Sequence, residues 1–251
     1  MNILKQILLG MLVAGIVAGT AIAATNAFFS DSATSAGNTF QAGKLQLLID
    51  SKCSYNGYGS DQCGTWDAKK LTTEKFFNFS DIRPGDWGEN TISFRIDNNP
   101  AWMCANLNIT KNEALGKYLS VFWFADRDGD NIYDVDDKLL YNGPRTINGW
   151  LSLTKTASLP LTFADSYLNW LTWPGPTPPN TTPIPGNATQ YLGVGWCFGT
   201  ITLTPGTVPG FTCDGTADQN DSQGTSVVGD LKFDIQQYQN NPGFLCPEHQ
   251  G

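Results

Sequence analysis

The residues with the clearest capacity for chemistry form an acidic run, Asp126-Arg127-Asp128-Gly129-Asp130-Asn131-Ile132-Tyr133-Asp134-Val135-Asp136-Asp137. Carboxylates fall at relative positions 1, 3, 5, 9 and 12 of this run. With that spacing a loop wraps Ca²⁺, a hard cation that takes about six to eight oxygens. The expected ligands are Asp126, Asp128, Asp130, Asp134 and Asp137, with the Ile132 carbonyl between them. Two positions depart from the EF-hand pattern. Asn131 stands where Gly is usual, although Asn tolerates the left-handed conformation better than most residues. Asp137 stands where Glu is usual, and its shorter side chain suits bidentate ligation less well. Ser120–Phe124 ahead of the run reads as a strand, so the loop is not framed by two helices. The competing reading is a solvated acidic hairpin. Repulsion among uncompensated carboxylates favours a structural Ca²⁺.

Other chemistry is sparse. The only histidine is His249, near the C-terminus. No HExxH, G-x-S-x-G or Cys-x-x-Cys pattern occurs, and zinc sites draw on several His or Cys. Asp214, Asp218, Asn220 and Asp221 are irregularly spaced and read as a hydrated loop. A non-enzymatic protein is expected. A secreted metallopeptidase and a monomeric adhesin or carbohydrate-binding module are the alternatives.

The cysteines number six: Cys53, Cys63, Cys104, Cys197, Cys213 and Cys246. Cys53 and Cys63 are close in sequence with Gly-rich turns between them, and form the one pair the spacing favours. Cys104 and Cys197 lie in strand-like runs beside Trp102 and Trp196, which suits disulfides packed against indoles more than reactive thiols. Cys213 is placed to tie down the polar stretch Thr204–Thr225. Asn-x-Ser/Thr sequons begin at Asn78, Asn108, Asn180, Asn187 and Asn220, all candidates for glycosylation.

The leader sets the compartment. Lys5, an apolar run from Ile7 to about Ala18, and the small-residue site Ala21-Ile22-Ala23 make an export signal. The apolar run is shorter than the roughly 20 residues of a membrane-spanning helix, so no stable span is expected after cleavage. Cleavage falls after Ala23 by this pattern, and signal peptidase is the implied partner. Disulfides are then permitted. The chain has 15 basic and 23 acidic side chains and a net charge of −8. That balance repels nucleic acid and anionic lipid, and it attracts divalent cations.

The elements that must position these residues are strands. Lys44–Ile49, Phe76–Phe79, Thr91–Ile96, Ala105–Ile109, Leu119–Phe124, Leu159–Phe163, Tyr191–Leu203 and Val227–Ile235 are rich in β-branched and aromatic residues. Ile92, Phe94 and Ile96 alternate with polar neighbours, as do Leu231, Phe233 and Ile235. One apolar face per strand is what two packed sheets require. Short helices are expected over Asn148–Leu153 and Ser166–Leu171, a turn at Arg83-Pro84-Gly85-Asp86, and a proline-rich loop over Pro174–Gly186. The expectation is one all-β domain, a two-sheet β-sandwich over residues 40–251 with long loops and few short helices.

Several stretches in fixed order resemble the TasA/camelysin family of secreted biofilm-matrix fibre proteins, which includes archaeal bundling pilins. They are the leader running into Thr25-Asn26-Ala27-Phe28-Phe29-Ser30-Asp31, then Asn38-Thr39-Phe40-Gln41-Ala42-Gly43-Lys44-Leu45-Gln46-Leu47. Asp81-Ile82-Arg83-Pro84-Gly85-Asp86-Trp87 follows, ahead of the Ile92/Phe94/Ile96 strand and Asn98-Asn99. The likeness covers the first hundred residues well, the last strand loosely and the middle poorly. It implies a jelly-roll-like sandwich and cleavage after Ala27. It further implies polymerisation in which Ala27, Phe28, Phe29, Ser30 and Asp31 lead a donor strand, with residues 28–39 as strand and linker. The implied partners are further copies of the chain and other matrix proteins.

Overall fold

The computed structural model describes residues 45–59, 63–153, 158–164, 167–170, 183–217 and 219–240. The export signal, both cleavage positions, the Ala27–Asp31 stretch, Asn180 and Cys246 lie outside the described residues. By compactness the chain divides into residues 1–42 and residues 43–251, and every described residue belongs to the second unit.

Twelve strands run β1 (Gln46–Tyr55), β2 (Trp66–Lys69), β3 (Trp87–Asp97), β4 (Ala101–Asn112), β5 (Leu119–Asp126), β6 (Lys138–Thr146), β7 (Ser158–Ala164), β8 (Tyr167–Trp170), β9 (Thr189–Phe198), β10 (Thr200–Leu203), β11 (Phe211–Asp214) and β12 (Val227–Gln237). One α-helix, α1 (Ile147–Leu153), follows β6 among the described residues. A six-stranded sheet has the order β2-β1-β3-β9-β5-β6, and a four-stranded sheet the order β12-β4-β7-β8. All pairings are antiparallel. The chain crosses from sheet to sheet between β3 and β4, β4 and β5, β6 and β7, β8 and β9, and again before β12. The result is the all-β sandwich that the alternation predicts.

The alternating residues build the core between the sheets. Ile92, Phe94 and Ile96 of β3 are fully buried, with Met103 and Ala105 of β4 and Leu192 and Val194 of β9. Phe233 of β12 reaches across to meet Phe94 at 4.7 Å between ring centroids and Phe76 at 6.1 Å. Trp150 of α1 joins the same core, its indole N–H donating to the Val121 carbonyl at 3.2 Å.

The six-stranded sheet is also covered on its outer face. Phe122, Phe124, Tyr133, Cys197, Ile201 and Phe211 form a second cluster there, under the β10–β11 ribbon. That double cover buries every residue of β5 after Leu119. It also explains Gly193 and Gly195 of β9, where a Cβ would run into the rings of Phe124 and Phe122.

Differences from the expected elements have physical causes. Phe76–Phe79 forms no strand; its backbone makes an isolated bridge from Cys63 to Phe77, while the Asn90 amide donates to the Phe76 carbonyl at 3.2 Å. Ser166–Leu171, expected as helix, contains β8, whose backbone completes a hairpin on β7. Pairing along an available edge outweighs a weak local helical preference. The run Tyr191–Leu203 breaks at Gly199 into β9 and β10, and Thr204–Thr225 contains β11. The expected turn at Arg83–Asp86 is present: Gly85 has φ 94° and the Asp86 N–H bonds the Arg83 carbonyl at 2.9 Å.

Among the described residues, two disulfides staple this frame. Cys53–Cys63 is the pair favoured by spacing, and Cys197–Cys213 fastens the ribbon to β9. Alternation along β9 points Trp196 into the inner core and Cys197 outward, so the indole sharing its cluster is Trp87. These bonds suit an oxidising, extracellular-type environment. Among the described residues no helix is long and apolar enough to cross a membrane.

Candidate metal centre and apolar groove

The acidic run leaves the end of β5 and folds back over the outer face of the six-stranded sheet. Asp126, the last residue of β5, is buried and accepts the Thr91 hydroxyl at 2.7 Å. Its other oxygen accepts the Gly129 N–H at 2.7 Å. Asn131 has φ 71°, the left-handed conformation expected at that position, and Gly129 has φ 74°. These turns bring one carboxylate oxygen each from Asp126, Asp128 and Asp130 within 4.8 Å of one another. Oxygens bound at about 2.4 Å around one Ca²⁺ stand at most about 4.8 Å apart, so the three fit a shared hard cation.

The remaining expected ligands are placed differently. Asp137 accepts the Arg127 N–H at 2.9 Å with one oxygen and the Asp134 N–H at 3.1 Å with the other. Asp134 accepts the Asp136 N–H at 2.8 Å. Both carboxylates therefore hold the loop's backbone. Ile132 donates its N–H to Asp130 at 2.8 Å, within the loop's turn. Lys52 of β1 reaches over from the sheet and donates to the Asp130 carbonyl at 2.6 Å.

Electrostatics mark the cluster as uncompensated. Burial raises Asp126 above the ordinary carboxylate range, against hydrogen bonds from Thr91, Gly129 and Asn131. Burial raises Asp130 as well, with Asp128 and Asp134 adding repulsion. Asp137 is pushed up to about 7, chiefly by burial. Beneath the loop, Glu89 of β3 is 4% exposed and is pushed up to about 9, by burial first and then by Asp130 and Asp126. Glu89 stands 37 residues before Asp126, so no loop motif contains it. The one sequence signal is a charged residue in a strand buried on both faces.

The weaker acidic stretch behaves as a hydrated loop. Asp221 pairs with Lys117 at 2.8 Å, and Asp214 accepts the Thr216 N–H at 2.9 Å. The described sequon residues Asn78, Asn108, Asn187 and Asn220 are all exposed.

A second feature lies at the open side of the sandwich. Among the described strands β12 stands at the edge of its sheet, beside β4. Its inward residues Leu231, Phe233 and Ile235 remain half-buried. Opposite them stand Leu45, Leu47, Ile49 and Leu71, and the groove between has a volume of about 500 Å³. Lys232 and Asp234, on the outward side of β12, pair with each other at 2.8 Å.

No protein-family model matches the chain, and no curated protein matches it.

Proposed function

We propose that this chain is a secreted structural subunit that polymerises head to tail into an extracellular fibre of the biofilm-matrix or pilus type. The freed N-terminal segment of one copy, residues 28–39, enters the groove beside β12 of the next. The observation that carries this reading is the groove itself: half-buried Leu231, Phe233 and Ile235 of β12 face Leu45, Leu47, Ile49 and Leu71 across it.

Three physical arguments support that occupant. Twelve extended residues span about 40 Å at ~3.3 Å each, enough to run along the eleven residues of β12. Phe28 and Phe29, released at a chain end, gain about 2 kcal/mol or more each on burial. Main-chain hydrogen bonds to a sheet edge add to the affinity of an inserted strand. Contacts of this head-to-tail kind do not close, so they propagate a filament. The resemblance to the TasA/camelysin family points the same way. In this reading a divalent cation, Ca²⁺ by the all-oxygen donor set, rigidifies the acidic loop against the subunit's outer face.

The test compares mature protein beginning at Phe28 with a variant lacking residues 28–35. Electron microscopy is expected to show fibres from the first and none from the second. A synthetic peptide of residues 28–39 is expected to bind the shortened variant and raise its melting temperature. Equal fibres from both proteins would overturn strand donation.

A further inference from the structure

We propose that Glu89 of β3 and Asn131 complete the divalent-cation site of Asp126, Asp128 and Asp130, so that the ion clamps the acidic loop onto the sheet beneath it. This inference rests on the cation reading of the loop and goes beyond it, because a loop-only site would leave the sheet uninvolved.

The loop carboxylates supply three oxygens, whereas Ca²⁺ takes about six to eight. Asp134 and Asp137 stand outside the group of three whose oxygens lie within 4.8 Å of one another. Two further oxygens lie buried with no hydrogen-bond partner: Oε1 of Glu89 and Oδ1 of Asn131. Both residues are more than nine-tenths buried. The strand register puts them in the same place. Glu89 pairs across β1–β3 with Ser54, and the Asn131 amide reaches the Ser54 hydroxyl at 3.5 Å. Thr91, two residues along the same face from Glu89, holds Asp126. The Glu89 carboxylate is also within reach of the Tyr133 N–H of the loop, and Asp130 and Asp126 are the acids that act on it most strongly.

A buried acceptor with no donor is destabilising, and more so when charged. The nearby cation Lys52 donates to the Asp130 carbonyl instead. An ion among five oxygen-bearing residues satisfies all of them at once. It would also tie β3 to the β5–β6 connection, which are separated by β9 in the sheet.

The experiment titrates CaCl₂ into the chelator-stripped mature chain by calorimetry, with melting followed in CaCl₂ and in chelator. Wild type is expected to bind one Ca²⁺ and to melt higher with it. Glu89→Gln keeps the shape and removes the charge. It is expected to bind about tenfold or more weakly, while melting in chelator no lower than wild type. Asn131→Gly keeps the left-handed backbone available and removes Oδ1, and is likewise expected to weaken binding. If wild type binds and Glu89→Gln binds equally well, the clamp is overturned while the loop site stands. If folded wild type binds no Ca²⁺, both fall. Should Glu89→Gln not fold, Asn131→Gly decides: unchanged affinity overturns the proposal.

Discussion

Asp86 shows how a single side chain organises the approach to β3. Its carboxylate accepts the Tyr55 hydroxyl at 2.6 Å, the Asn56 amide at 2.9 Å and the Arg83 N–H at 2.7 Å. Burial pushes this carboxyl up, yet those three hydrogen bonds outweigh burial and hold it below its ordinary value. Burial, then the same contact, pushes Tyr55 up to about 12. A carboxyl whose folded value is depressed contributes stability that is complete above its unfolded pKa of about 3.9. That contribution is lost as pH falls through the lower folded value. Asp86→Asn is therefore expected to cost about 1–2 kcal/mol at pH 7. Urea unfolding is expected to show the gap to wild type narrowing as pH falls below the unfolded value of about 3.9. At this scale the sequence is informative where chemistry is local. The spacing of Asp126, Asp128 and Asp130 and the left-handed Asn131 are both legible in it. The bonds that Asp137 accepts from the Arg127 and Asp134 N–H groups are not, because they form only once the loop has closed.

Among the elements, the β10–β11 ribbon has the largest effect for its size. It carries Ile201 and Phe211 over Phe122, and Phe122 stacks on Phe124 at 5.6 Å. Without it the outer face of the central strands would expose aromatic surface. Cys197–Cys213 closes a stretch of 16 residues and holds the ribbon in place. Replacing both cysteines by alanine is expected to cost about 3 kcal/mol by the loop-closure argument. The readout is a lower urea midpoint, accompanied by increased binding of a hydrophobic dye as the Phe122 cluster loosens. The ribbon was hard to foresee. Phe211-Thr212-Cys213-Asp214 is four residues among turn formers, and its strand character comes from its partner β10 and the disulfide. The long alternating strands, β3 and β12, were plain because each has one apolar face over many residues.

At the scale of the whole molecule, the described sheets end at β2 and β6 and at β8 and β12, and the apolar groove lies beside β12. An eleven-residue edge strand with half-buried Leu231, Phe233 and Ile235 is an invitation to pairing that monomeric proteins usually blunt. Leu231→Lys places a charge in the groove at a site already partly solvated. The variant is expected to remain folded, with a melting temperature within a few degrees of wild type. Light scattering is expected to show polymerisation slowed or abolished. Full-rate assembly by this variant would argue that the groove is not the joint.

The primary structure alone determined the class of fold, the acidic loop and the Cys53–Cys63 staple, since each is written in periodicity or in residues close along the chain. Only the tertiary structure decided that β9 lies between β3 and β5, that these central strands are buried on both faces, and that Glu89 lies under the Asp126 loop. Local pattern specifies which face of a strand is apolar, but not which distant strand will pair with it. That choice belongs to the packing free energy of the whole chain, and both the place of Glu89 under the acidic loop and the groove beside β12 follow from it.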